Sequence, residues 1–245
     1  MSGSYFHTNG LSRTNKILLA AIVAWLVFVV VVEASVFSGS TPMFWQPNKS
    51  GETIMGSGIQ MRQVRELDAY QSINIAGNMD FELGIGNESK CTLVGDNNII
   101  SEITSQVEKG ALTVKVESSY FEKLPLKVSC VSPAVTRVIL MGASTARLNN
   151  LTGDTFEVTQ QGAGTVTLQG DIDMLKAIIQ GAGTIDASAL ALNNAEVAIQ
   201  GAGDILVPQA KRVGGSIMGS GEIKVGEATE SKDVLIMGPG SVSRY

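Results

Sequence analysis

The run Val197-Ala-Ile-Gln-Gly201-Ala-Gly-Asp204 is one of six kindred phrases in the C-terminal part of the chain. Before it stand Val138-Ile-Leu-Met-Gly142-Ala-Ser-Thr145, Val158-Thr-Gln-Gln-Gly162-Ala-Gly-Thr165 and Ala177-Ile-Ile-Gln-Gly181-Ala-Gly-Thr184. After it come Gly215-Ser-Ile-Met-Gly219-Ser-Gly-Glu222 and Val234-Leu-Ile-Met-Gly238-Pro-Gly-Ser241. The leading glycines step by 20, 19, 20, 18 and 19 residues. A fixed period of this length marks an architecture built of stacked units, each contacting only its neighbours.

Aligned on those glycines, the units share apolar columns. Leu140, Gln160, Ile179, Ile199, Ile217 and Ile236 precede the glycine by two. Ala146, Val166, Ile185, Ile205, Ile223 and Val242 follow the second glycine position by two, with Leu148, Leu168, Ala187, Val207 and Val225 two further on. Spacing of two on both sides is strand periodicity, so each unit reads as strand, corner, strand. The corners are Gly142, then the pairs Gly162 and Gly164, Gly181 and Gly183, Gly201 and Gly203, Gly219 and Gly221, and Gly238 and Gly240. The expected fold is all-β: a parallel solenoid with rungs of about 19 residues, a rod of roughly 24 Å for six rungs at ~4.8 Å each. Gln161, Gln180 and Gln200 align just before the corner and are read as an amide ladder along the axis, with a ligand groove as the competing role. Gln160 is the exception in an inward column: a shifted rung, a partnered buried amide, or a misregistration.

The rest of the chain is read around that rod. Residues 1–16 form a polar tail that holds the only histidine, His7, and ends in Arg13 and Lys16. Ile17 to Val32 is unbroken apolar sequence, and the apolar character continues to Phe37. Twenty-one residues (17–37) at 1.5 Å each span ~30 Å, a bilayer core. Basic residues before the run put the tail in the cytoplasm and the repeats across the membrane. A cleaved signal peptide is the alternative, since Val32-Glu-Ala34 resembles a cleavage site. Residues 38–58 read as a linker and 59–245 as the folded domain. Within it, Ser72–Leu83, Lys90–Gly95, Leu112–Val116 and Leu126–Cys130 alternate like degenerate rungs, while Ile99–Val107 reads as a short helix or irregular strand. Such an atypical start suits a solenoid that must cover the end of its core.

With both halves in view, the chain resembles the head GIN domain family of auto-transporter adhesins. The resemblance rests on the early alternating strand, the stretch Asp96-Asn-Asn-Ile99 leading to Lys109-Gly-Ala-Leu-Thr-Val114, and the tandem Gly-Ala-Gly and Gly-Ser-Gly rungs. It covers roughly residues 59–245 and implies a right-handed β-helix-like domain of bacterial envelopes. The family offers no catalytic residues to carry over, and Gly142-Ala-Ser144 and Gly77-Asn-Met79 depart from its glycine pattern.

Several chemistries lack their parts. A net charge of −5 argues against a general nucleic-acid binder. No phosphate-binding glycine loop is present, and the position after the corners (Thr165, Thr184, Asp204, Glu222, Ser241) supplies too few carboxylates for a calcium roll. Zinc and nucleophilic triads need histidines that this domain does not contain. Asp171, Asp173 and Lys176 sit close together but read as a solvated turn. Cys91 and Cys130 are two rungs apart, ~9.6 Å in a regular stack, beyond disulfide reach; the irregular first half leaves a disulfide and two buried thiols both open. No cofactor is expected. The expected role is a membrane-anchored, non-catalytic binding, adhesion or scaffolding module for an unknown protein or glycan, held in the bacterial inner membrane and facing the periplasm or the exterior. A polysaccharide-active enzyme on the same scaffold is the alternative, and self-association through the solenoid end is expected.

Overall fold

The structure is a computed structural model that describes residues 53–244. The segment 17–37 lies outside the described residues, as do the tail and most of the linker. Among the described residues no helix is long and apolar enough to cross a membrane.

The strands of the N-terminal part are β1 (Ile54–Met55), β2 (Gln60–Glu66), β3 (Ser72–Ala76), β4 (Asp80–Ile85) and β5 (Lys90–Asp96). After a single helical turn, α1 (Asn97–Ile100), come β6 (Ile103–Glu108), β7 (Ala111–Val116), β8 (Tyr120–Phe121) and β9 (Lys127–Ser132). The repeats supply β10 (Arg137–Gly142), β11 (Thr145–Gly162), β12 (Thr165–Gly181), β13 (Thr184–Ala191) and β14 (Asn194–Gly201). They finish with β15 (Asp204–Val207), β16 (Arg212–Gly219), β17 (Glu222–Val225), β18 (Ser231–Met237) and β19 (Ser241–Arg244).

These strands wind as a β-solenoid. From Arg137 the chain passes its own earlier level at Glu157, Lys176, Glu196, Gly214 and Asp233, which is five turns in parallel register. One long face stacks β6, β7, β3, β10, the second half of β11, the second half of β12, β14, β16 and β18. The other stacks β2, β5, β9, β4, the first halves of β11 and β12, β13, β15, β17 and β19. A short third side pairs Leu151–Gly153 with Gly170–Ile172, and Gln169–Asp171 with Ala189–Ala191. Nine strand levels on the first face make a rod of about 38 Å at ~4.8 Å per level, longer than six repeats alone provide.

Alternation fills the interior. Ile199, Ile205, Val207, Ile217, Ile223 and Val225 are all fully buried, as are their counterparts in earlier turns. Each level adds apolar side chains to the same columns, so burial grows by a fixed increment per turn, worth ~25 cal/mol per Å². No such increment is available to a single unit alone, so the coils hold each other in place.

The N-terminal half does not wind in sequence order. The β3–β4 coil lies between the level made by β7 and β9 and the level made by β10 and β11. The chain thus lays β2 outermost, places β3 and β4 deeper in the rod, fills the levels outside them with β5 to β9, and passes β3 to start the regular turns. At that end pairing turns antiparallel: β2 with β5, β5 with β9, and β6 with β7. Residues 99–107 turn out to be both things the sequence offered, a helical turn and then a strand. Ile99 and Ile100 of α1 are buried and plug the interior.

Antiparallel pairing also places the cysteines. Cys91 stands directly opposite Cys130 across β5 and β9, with Cα atoms 4.1 Å apart and the sulfurs bonded. The two-rung spacing argument fails here because β5 and β9 are adjacent strands, not coils two levels apart.

Candidate binding surface

The corners come first, because they set how closely the coils stack. Gly201 has φ +134°, and a Cβ placed on it would sit 2.2 Å from the carbonyl oxygen of Gly181, one coil back. The same collision recurs at Gly162, Gly181, Gly219 and Gly238, each against the preceding corner glycine's carbonyl. That carbonyl is in use: Ala202 N–H donates to Gly181 O at 2.9 Å, and Ala182 N–H to Gly162 O at 2.9 Å. Corner glycines thus stack backbone on backbone, where the chain turns and no side chain fits. The second corner glycines are crowded for another reason. A Cβ at Gly203 would meet Gly183 O at 2.5 Å and the Ile179 side chain at 2.7 Å.

Gln160 is in register after all, between Leu140 and Ile179, and only 1 % exposed. Its amide lies against the next corner, where a Cβ at Gly183 would come within 2.4 Å of it. Its Oε1 is buried without a hydrogen-bond partner. The partnered-amide reading is therefore not what the structure shows for that oxygen.

Side chains that point out of the first long face also form columns. The middle one is Ile139, Thr159, Ile178, Ala198, Ser216 and Leu235. Although outward, Thr159, Ile178, Ala198 and Ser216 are each less than a tenth exposed. On the corner side stand Met141, Gln161, Gln180, Gln200, Met218 and Met237; Gln161 Nε2 donates to Gln180 Oε1 at 2.9 Å. Gln200 continues the column at the next level. On the far side Arg137, Glu157, Lys176 and Glu196 alternate in charge, and Arg137 grips Glu157 across one coil step at 2.8 Å. From these columns we read the face as a shallow trough along the axis, with a small-residue and apolar floor, an amide and thioether wall, and a wall of alternating charge. The other long face is polar by comparison, led by Thr145, Thr165, Thr184, Asp204 and Glu222.

Sequence reasoning found the glutamine wall but missed the floor, because outward positions in a strand are expected to be polar. The signal was available: Ile139, Ile178 and Ala198 are apolar on the wrong face. Asp171, Asp173 and Lys176 do not converge. Asp171 and Asp173 are exposed on the short third side, where Asn193 donates to Asp173 at 2.9 Å, while Lys176 belongs to the charged wall of the trough. Among the described residues no group of His, Cys, Asp and Glu is placed to hold a metal ion.

The sealed end carries a second polar cluster. Asp96 accepts hydrogen bonds from the backbone N–H of Gly58 (2.6 Å), Lys123 (2.9 Å) and Leu124 (3.0 Å). Burial alone would raise its pKa, but those three donors and the Lys123 charge outweigh it, and the carboxyl is held below its ordinary value. Asn98 adds bonds to Met55 O and from Ser57 N–H. Together they clasp residues 54–58, read as linker from sequence, onto the end of the rod.

Solved structures share this fold. A crystal structure named a putative adhesin from Bacteroides fragilis NCTC 9343 superposes with a TM-score of 0.63 at 17% identity, covering 78% of this chain and all of that one. A protein from Parabacteroides distasonis ATCC 8503, named a putative lipid binding protein, gives 0.54 at 20% identity, covering 79% of this chain and all of that one. No curated protein matches the chain. A sequence model of one family matches residues 69–228, from the first coil to the penultimate one. The chain belongs to that family, described as "Putative auto-transporter adhesin, head GIN domain".

Proposed function

We propose that this chain is a non-catalytic, adhesin-like binding module that faces the cell envelope and is held in the bacterial inner membrane by residues 17–37. The observation that carries the reading is the trough on the first long face. Its floor runs through successive coils at a constant ~4.8 Å step, and its walls offer amide and charged groups at the same step. Such a surface suits an extended ligand contacted repeatedly along its length. Family membership supports the adhesin-like role. The Cys91–Cys130 bond supports placement outside the cytoplasm, where disulfides persist.

The test is capture of native envelope components by the full chain, beside Ala198→Arg, which fills the floor. Binding lost in Ala198→Arg with an unchanged unfolding temperature supports the trough as the binding surface. Equal capture by both proteins refutes it. A product assay on polysaccharides run alongside decides the enzymatic alternative, since turnover would exclude a purely binding role.

A further inference from the structure

Among the described residues the large apolar side chains left most exposed fall into two groups, and the larger is at the N-terminal end of the rod. Phe121 is 65 % exposed, Met55 and Ile59 62 % each, Val64 50 % and Met61 39 %. They do not hang from a loose loop. Met55 lies beside Phe121 in the parallel β1–β8 pair, where Ile54 N–H donates to Ser119 O and Gly56 N–H to Phe121 O, both at 2.8 Å. Asn98 Nδ2 donates to Met55 O at 2.9 Å and Asn97 N–H to Ile59 O at 2.9 Å. The Asp96 carboxylate holds the N–H groups of Gly58, Lys123 and Leu124 between them. Met61 and Val64 stand on β2, the outermost strand of the second face. The backbone around Met55, Ile59 and Phe121 is therefore fixed, and it holds apolar side chains out into solvent. An apolar cluster held in that way marks a contact surface.

We propose that this end of the rod seats on the surface of the lipid bilayer, a proposal that rests on the reading of residues 17–37 as the anchor. The chain itself selects the occupant. Only residues 38–53 lie between that apolar run and β1. Sixteen extended residues reach no more than about 55 Å, so the patch stays close to lipid, and even a weak contact is populated at such an effective concentration. The chemistry agrees. Met55, Ile59, Met61, Val64 and Phe121 carry no strong hydrogen-bonding group that a partner would have to match, which suits the boundary between headgroups and acyl chains. Arg62 and Lys123 are exposed in the same segments and suit lipid phosphates. The Glu122 carboxylate, which would repel them, accepts the Leu126 N–H at 2.8 Å.

Seating this end orders the trough relative to the membrane. On the first face β6, β7 and β3 lie nearest the lipid, and β10 to β18 follow at ~4.8 Å per level. The amide and charged columns of the later coils then stand progressively farther from the bilayer.

The experiment uses the full chain reconstituted in vesicles of phosphatidylcholine and phosphatidylglycerol. Because Cys91 and Cys130 are bonded and buried, Phe121→Cys adds the sole free thiol, to which a nitroxide is attached. Thr167→Cys, exposed on the other long face, carries the reference label. The Phe121→Cys label should lose collisions with a water-soluble relaxer and gain collisions with oxygen, which concentrates in lipid; the Thr167→Cys label should do neither. Met55→Asp with Ile59→Asp in the Phe121→Cys chain should return the label to water with the unfolding temperature unchanged. Equal access of the aqueous relaxer to both labels overturns the proposal, as does a label unmoved by the two aspartates. Loss of aqueous collisions without a gain from oxygen overturns it too, because a second copy or another protein segment then covers the patch. Alkaline extraction of the same vesicles reads the anchor separately. A chain that stays with the lipid while its Phe121→Cys label is in water keeps the anchor and loses the seat; a released chain loses both. None of these results bears on the Ala198→Arg test of the trough.

Discussion

Two separate demands fall on the corner glycines, a positive φ and a missing Cβ, and four Gly→Ala substitutions separate them. Gly84 has neither demand: its φ is ordinary and a Cβ would meet nothing within 4 Å. Gly153 has φ +122° but open space around it. Gly203 lacks the positive φ, yet a Cβ there would press on Gly183 O at 2.5 Å. Gly201 carries both, with φ +134° and a contact of 2.2 Å. Backbone strain costs ~1–3 kcal/mol, and overpacking a tight site a similar ~1–3 kcal/mol. Alanine returns about 0.4–1 kcal/mol by restricting the unfolded chain.

The expected ranking follows. Gly84→Ala is neutral or slightly stabilising; Gly153→Ala and Gly203→Ala each cost about 1–2 kcal/mol; Gly201→Ala costs about 3–4 kcal/mol, near the sum of the two. For a domain of this size each kcal/mol moves the midpoint by ~2–4 °C, so Gly201→Ala should fall by about 10 °C. Thermal unfolding followed by circular dichroism reads all four. If Gly203→Ala melts like Gly84→Ala, the close stacking of corners is wrong as a source of stability. If Gly201→Ala costs no more than Gly153→Ala, φ alone explains the glycines and the carbonyl contact contributes nothing.

Three further predictions rest on other parts of the rod. Gln160→Met removes a buried oxygen that lacks a partner, and should raise stability by about 1 kcal/mol; Gly183→Ala should be milder in a Gln160→Ala background than alone, a coupling that a double-mutant cycle measures. Reducing the Cys91–Cys130 bond, which closes a separation of 39 residues, should cost about 4 kcal/mol on the chain-entropy account; equal urea midpoints with and without reductant would contradict it. Asp96 has a folded pKa below its unfolded one, so its contribution to the clasp is complete above the ordinary carboxylate range and is lost as pH falls through the folded value. Protection of the Gly58, Lys123 and Leu124 amides against exchange, relative to the intrinsic rate at each pH, should therefore fall only in acid below pH ~4, and Asp96→Asn should show the lowered protection already at neutral pH.

The repeats were legible because each level repeats the same local rule. Ile199 lies over Ile179 and under Ile217 for the reason that all three stand two residues before a corner, and no long-range information is needed. The five turns therefore follow from spacing alone. The amide ladder was half legible: Gln161 and Gln180 are bonded, and their bond depends on neighbouring levels having equal register. Gln160 shows the limit. Alignment gave its position, but whether its amide oxygen finds a donor depends on how the next corner passes over it, at Gly183, and no spacing encodes that.

The sealed end was illegible for a deeper reason, which is that its levels do not follow chain order. A separation of 39 residues between Cys91 and Cys130 converts to a distance only if each 19-residue step climbs one level in one direction. Here β2 is laid down outermost, β3 and β4 come next but deeper in the rod, β5 to β9 fill the levels outside them, and β10 then lands on the opposite side of β3. The reversal serves the physics of an end. Segments from both sides of β3 and β4 close over the end: Ile99 and Ile100 fill the interior, antiparallel strands turn the edge, and Arg65 takes the carbonyls of Ile100 and Ile103. The residues that do this, Arg65, Asp96 and α1, have no counterpart in the repeats, so periodicity cannot point to them.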